Sequence, residues 1–204
     1  MSKPMNAKTD RQLVSERFTS MVVSEQDGFR AVGWGSHGSQ MRRFEVMSQI
    51  AQLRGARILD VGCGLGAFHN WLTDNDFEHD YYGCDITLEM VKRARENTGL
   101  STIYHGDLSM FSECEQFDYV FASGIFCFDV QGCHITMNKT VADMYALARK
   151  GVCFNTLSDL ADSKEPDEFY ANPARCLTDC QKLSRKVVLR HDYHPADFTV
   201  YLYR

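Results

Sequence analysis

At 204 residues and 23.3 kDa the chain is long enough for one well-packed domain and short for two. Its 44% hydrophobic and 24% charged residues are ordinary globular values, which excludes a wholly disordered, collagenous or coiled-coil chain. The net charge of −5 and pI near 5.8 give no general attraction for phosphate backbones, and no basic run is interleaved with aromatics, so nucleic acid is not an expected partner.

In chain order, residues 1–10 form a polar tail without the apolar run of a signal peptide, which makes a cytoplasmic protein the expectation. Residues 10–24 then carry Leu13, Val14, Phe18, Met21 and Val22 at helical spacing. Glycines dominate residues 28–38, which predicts a turn or loop, and Ser39 is suited to cap a second helix to about Leu53, with Arg42 and Arg43 in its first turns. Residues 1–53 thus read as an N-terminal helical lid and residues 54–204 as the core, with no repeat or linker dividing the chain.

From Ala56 strand-like and helical runs alternate: ARILDV then GAFHNWLTDN, HDYYGCDI then LEMVKRAREN, STIYHGD then a short turn, FDYVFAS then HITMNKTVADMYALARK. That alternation predicts βαβ units and a parallel sheet. The longest apolar stretch, residues 119–128, is broken by Ser123 and Gly124 and falls far short of the roughly 20 residues that cross a bilayer, so no membrane is expected. GVCFNTLS, a helix over 173–182, KVVLRH and DFTVYLYR complete the chain. The connection HDYHPA is too short for a crossover helix, so the last strand should run antiparallel to its neighbour. The expected fold is α/β: a Rossmann-like, seven-stranded, mostly parallel sheet with an antiparallel last strand and helices on both faces. The eight cysteines are too sparse for a disulfide scaffold, and Cys176 and Cys180, one helical turn apart, have no second pair with which to complete a tetrahedral metal site.

The strongest chemical signal is Ile58-Leu59-Asp60-Val61-Gly62-Cys63-Gly64-Leu65-Gly66, a buried strand running into a glycine-rich turn and a helix. Gly62 permits the tight turn, Gly64 lets a ligand approach the backbone, and Gly66 opens a helix whose free N–H groups face the site. Gly62, Gly64 and Ala67 also satisfy the dinucleotide pattern G-x-G-x-x-A, so the turn alone leaves the cofactor open. Asp85 closes the second strand, where a carboxylate can accept from both ribose hydroxyls, although an N-cap role for the next helix is also open. Asp107, at the end of the third strand, is placed to accept from an adenine amino group or to serve a turn.

Asp60, Gly62-x-Gly64-x-Gly66, Asp85 and Asp107 at the ends of consecutive strands together resemble the class I S-adenosylmethionine-dependent methyltransferases, over residues 39–204. The resemblance implies S-adenosyl-L-methionine as cofactor, its methionine moiety on residues 60–66, its ribose on Asp85, its adenine on Asp107 and the Leu108 amide, and Ile86 and Met90 packed on the adenine face. The stretch AVGWGSHGSQMRRF looks like the helical lid of small bacterial members, in which Trp34, Gln40 and Arg43 would line the cofactor site and Arg43 would pair the methionine carboxylate. Trp34 as a core aromatic and Arg43 as a solvated charge are the alternatives.

Ligands of open α/β sheets bind beyond the carboxyl ends of the strands, so residues 123–126, 155–159 and 191–194 are expected to face the acceptor, with Ser123 at the cofactor's edge. Asn155 and Tyr193 are candidates to orient it, and His191, Asp192 and His194 candidate bases. Phe126, Trp34 and Tyr193 are candidate cation–π partners for a sulfonium. The fourth strand leads into Ala122-Ser123-Gly124-Ile125-Phe126 rather than the Asp/Asn-Pro-Pro-Tyr/Phe signature of the amino-methylating DNA and glutamine enzymes. Small size and acidic charge favour a small-molecule acceptor. Two alternatives stand beside methyl transfer: cyclisation or elimination within the cofactor's own amino-acid chain, releasing methylthioadenosine, and a silent cofactor-binding module. The sequence leaves a homodimer open.

Overall fold

The computed structural model describes residues 10–24, 28–33, 35–111, 116–128 and 132–204. One sheet organises them. Strands β1 (Ala56–Val61), β2 (His79–Asp85), β3 (Ile103–His105), β4 (Phe117–Ala122), β5 (Ala148–Leu157), β6 (Lys186–Arg190) and β7 (Asp197–Tyr203) lie in the order β3-β2-β1-β4-β5-β7-β6. The first five pair in parallel, while β7 runs antiparallel between β5 and β6. The antiparallel last strand is thus where the short HDYHPA connection requires it.

The period of two along each strand divides the core. Leu59, Val120, Val152, Phe154, Val200 and Leu202 face helices α6 (Cys133–Leu147) and α7 (Pro173–Cys180), burying Met137, Val141, Met144, Cys176 and Cys180. Ile58, Phe121, Cys153 and Tyr201 face α3 (His37–Ser48), α4 (Ala67–Asp74) and α5 (Leu88–Thr98), with Phe44, Met47, Phe68, Leu72 and Ala94 between them. Covered on both faces, the inner strands are continuous apolar runs rather than alternating ones. Cys176 and Cys180 belong to the core, and every described cysteine is a free thiol.

The N-terminal segment departs from expectation in detail. Helix α1 spans Asp10–Ser24, but a one-turn helix α2, Gly28–Ala31, stands in the stretch expected to be loop. Ser36, not Ser39, caps α3: its hydroxyl accepts from the Ser39 N–H at 3.1 Å, so Ser39 is the donor satisfied by the cap. That helix ends at Ser48, and Ile50 and Leu53 are buried in the connection beyond it. Likewise α6 stops at Leu147 instead of continuing to 150, because Ala148 already pairs with Phe117 across the sheet.

Helix α3 is fastened to the sheet by buried polar contacts. Tyr201 Oη donates to the Val46 carbonyl at 2.5 Å, and just beyond the helix the half-buried Tyr203 Oη donates to the Ile50 carbonyl at 3.0 Å. Arg43 forms an ion pair with Asp197 at the start of β7, both about 3–4% exposed, and also donates to the Ser39 carbonyl at 2.8 Å. Burial pushes the Asp197 carboxyl up to about 6 against the opposing pull of Arg43. Removing one member strands a buried charge, so Arg43→Met should cost about 3–5 kcal/mol in urea denaturation, and adding Asp197→Leu should restore most of the loss.

Candidate active site

Strand order reverses between β1 and β4, and the crevice beyond the carboxyl ends of these two strands opens into a cavity of about 1240 Å³. Its floor is the glycine-rich turn. Gly62 (φ 69°) and Gly66 (φ 78°) are left-handed; a Cβ on Gly62 would collide with Ile125, and one on Gly66 with the Thr98 side chain. The Gly62 and Cys63 N–H groups donate to the Cys84 carbonyl at 2.8 and 3.1 Å, which folds the turn onto the end of β2. Gly66 is the N-cap of α4, so the unpaired N–H groups of that helix's first turn lie at the turn.

Three carboxylates meet this floor. Asp85, 9% exposed, accepts from the Gly64 N–H at 3.0 Å on one oxygen and the Thr87 N–H at 2.8 Å on the other. Thr87, not Asp85, occupies the N-cap of α5, so Asp85 reaches back to the turn instead of capping the helix. Burial raises its pKa, and the two backbone bonds oppose the rise. Asp60, 2% exposed, accepts from Tyr81 Oη at 2.6 Å, and burial raises its carboxyl to about 7. Asp107 accepts from the Ser109 Oγ and N–H at 2.6 and 3.0 Å on one oxygen and pairs with Arg11 on the other; the Ser109 hydroxyl leads the groups that hold its pKa below the usual range. Ile86, Met90, Leu108 and Ser123 lie on the same wall.

Other sequence-derived candidates fall elsewhere. Trp34 lies outside the described residues. Arg43 is turned away from the cavity into its pair with Asp197, whereas Gln40, three residues earlier on α3, is on the wall. Asn155 is buried one layer behind it: its Oδ1 accepts from the Gly124 N–H at 3.0 Å, and its Nδ2 donates to Ser123 Oγ at 2.9 Å. Tyr193 shares a hydrogen bond of 2.8 Å with Thr199 and packs into the core, and the His191 ring stands edge-on to Phe198 at 6.0 Å. The cause is the insertion of β7, which sets β6 three strands, or about 14 Å, from β4 at ordinary strand spacing. Asp192 pairs with Arg190 at 2.7 Å.

The cavity also gathers residues that sequence reading passed over. Val14 and Phe18, whose spacing marked only a helix, line the cavity with Arg11, Phe29, Val32, His37 and Met41. Leu13 of the same helix is 48% exposed. Periodicity marks an apolar face but does not distinguish a packed core from the wall of a ligand site.

Residues 59–154, from the middle of β1 into β5, match the family model described as a methyltransferase domain. Over 157 residues the chain is 32% identical to Rv1506c of Mycobacterium tuberculosis (strain ATCC 25618 / H37Rv), a protein named as a methyltransferase, covering 70% of this chain and 90% of that one. The chain belongs to the class I methyltransferase family. This methyltransferase shares its fold with magnesium protoporphyrin IX methyltransferase from Synechocystis PCC 6803 with bound SAM: the TM-score is 0.71 at 16% identity, over 98% of this chain and 99% of that one. The DhpI-SAM-HEP complex is similar at a TM-score of 0.68 and 15% identity, over 97% and 100% of the two chains. S-adenosylmethionine is the family's methyl donor.

In this methyltransferase the site's proton balance sets a measurable pH dependence. Native Asp60 keeps its proton up to about pH 7, while the unfolded chain releases it near pH 4, so the native state holds the extra proton between these values. The stability contributed by Asp60 is therefore present below about pH 4 and lost as pH rises to about 7. Urea denaturation across that window should show the decline in the wild type and a flatter profile in Asp60→Asn.

Proposed function

We propose that this chain is a cytoplasmic S-adenosylmethionine-dependent methyltransferase acting on a small-molecule acceptor, with residues 1–53 serving as a lid on a core of residues 54–204. The observation that carries the reading is the Asp85 carboxylate at the wall of the cavity. Each of its oxygens holds one backbone N–H, which leaves acceptor capacity on both for a pair of vicinal hydroxyls. The cavity exceeds what one nucleoside-sized ligand needs, and part of its wall is built from α1 and α2, consistent with a lid over a cofactor and a second small molecule. Among the described residues no helix is long and apolar enough to cross a membrane.

The residues present fit the cofactor. Asp85 would hold the ribose, Asp107 with the Leu108 N–H the adenine amino edge, and Ile86 and Met90 the faces of the ring. Asp60 and the turn from Gly62 to Gly66 would hold the methionine moiety, whose ammonium would favour the ionised form of Asp60 that burial disfavours. When bound there, S-adenosylmethionine supplies an electrophilic methyl group on a sulfonium. Phe126 and Ser123 form the adjoining wall and exclude water from it. Asn155 is a positioning residue: its amide pins Ser123 and Gly124, and with them Ile125, against the glycine turn. Among the described residues His37 is the one imidazole lining the cavity, which makes it, rather than His191, the candidate to take a proton from an acceptor.

Asp85→Ala should lose two charge-assisted hydrogen bonds and weaken S-adenosylmethionine binding by at least about 100-fold in calorimetry; retained affinity removes the ribose assignment. Incubated with S-adenosylmethionine alone, the protein should leave it intact by mass spectrometry and release S-adenosylhomocysteine only when an acceptor is supplied. Methylthioadenosine formed without an acceptor would make the cofactor itself the substrate.

A further inference from the structure

We propose that helix α1 is a lid held shut by two surface ion pairs, Arg11 to Asp107 and Arg17 to Asp167, and that the opening of this lid sets the rate of cofactor exchange. The inference rests on the S-adenosylmethionine reading of the cavity.

Helix α1 crosses the cavity from its adenine end to the far rim. At one end Arg11 pairs with Asp107, and Ser15 Oγ donates to the Ile86 carbonyl at 3.4 Å, so the helix is tied to two of the residues assigned to the adenine. Further along, Arg17 pairs with Asp167 at 2.7 Å and lays its guanidinium 4.3 Å from the ring centre of Phe128. Phe18 meets Phe128 at 5.2 Å. Phe128 bridges to Glu168, so Arg17 and Phe18 reach the rim made by the chain after β4 and the chain after β5. Beneath the helix, Val22 and Ala31 pack on Leu65 and Met90, one from the glycine turn and one from the adenine wall. The roof of the cavity therefore rests on the cofactor's own contacts.

The fastening of α1 differs in kind from that of α3. Arg43 and Tyr201 tie α3 to the sheet through buried bonds. The two pairs on α1 are exposed, at 53% and 39% for Arg11 and Asp107 and 47% and 59% for Arg17 and Asp167. Exposed pairs are weak singly and are screened by salt, which suits a lid that must open in every turnover. Between the two kinds of anchor the chain passes Gly33, at φ 83°, where a backbone turn is easily made.

The test follows dissociation of S-adenosylhomocysteine from the full-length protein by stopped flow, at about 0.05 M and 0.5 M NaCl, in wild type, Arg11→Gln, Arg17→Gln and the control Arg42→Gln, which removes an exposed pair to Glu45 on the fixed helix α3. Salt should speed dissociation from the wild type. At low salt each latch variant should release ligand about two- to five-fold faster and lose part of the salt response, while Arg42→Gln follows the wild type. Latch variants with wild-type rates and salt response, or a control that matches them, would overturn the proposal. Amide hydrogen exchange of residues 10–24 in the ligand-free protein gives a readout independent of the cofactor: it should rise with salt and in both latch variants. If the wild type binds no S-adenosylhomocysteine, the cofactor assignment fails, and unchanged exchange in the latch variants would then reject the lid on its own terms.

Discussion

The Asp85 carboxylate accepts one backbone N–H from Gly64 and another from Thr87, so a single buried side chain joins the turn after β1 to the start of α5. The rest of the site is arranged around this junction. It holds Gly64 at the cavity floor, it sets where α5 begins and hence where Met90 stands, and it brings Asp85 within Coulomb range of Asp60. Burial leads the rise of both carboxyls, the Asp85 charge adds to that of Asp60, and the same environment that disfavours a second negative charge favours a cation beside it. The first-turn N–H groups of α4 beside two buried carboxyls make this end of the cavity electrostatically mixed, which suits a zwitterionic amino acid carrying a sulfonium better than a dinucleotide's pyrophosphate.

Around that junction helices α1 and α3 are held by contacts of different kinds. The sheet holds α3 through the buried Arg43–Asp197 pair and the Tyr201 bond to the Val46 carbonyl. Helix α1, the proposed lid, is held by pairs at the surface and by a small apolar cluster. Salt screens exposed pairs far more than buried ones, which sets the contacts of α1 apart from those of α3.

The position of the candidate acceptor site follows from the strand order. Because β7 enters between β5 and β6, the chain after β6 is carried to the sheet's edge, and His191 and Tyr193 go with it. What remains near the reversal point is the chain after β4, held in place from behind by Asn155. The sequence marked Asn155 by its place toward the carboxyl end of β5, but its bonds to Ser123 and Gly124, 32 and 31 residues away in the chain, exist only in the folded molecule.

Local pattern in the sequence determined the strands, most of the helices, the glycine turn and the acidic residues at the ends of β1, β2 and β3. These depend on hydrophobic period and on backbone conformations that few residues adopt, and both are properties of short stretches of chain. The sequence also contained Arg11, Arg43, His37 and Asn155, yet whether each faces the cavity, braces it or closes it was decided only in three dimensions. An arginine on a helix reads the same beside a ligand, a buried aspartate or a surface partner. Arg43 turned inward because Asp197 begins a strand inserted between β5 and β6, and Arg11 reached Asp107 because α1 folds back across the crevice. Both are contacts between residues about a hundred or more positions apart, which no local pattern encodes.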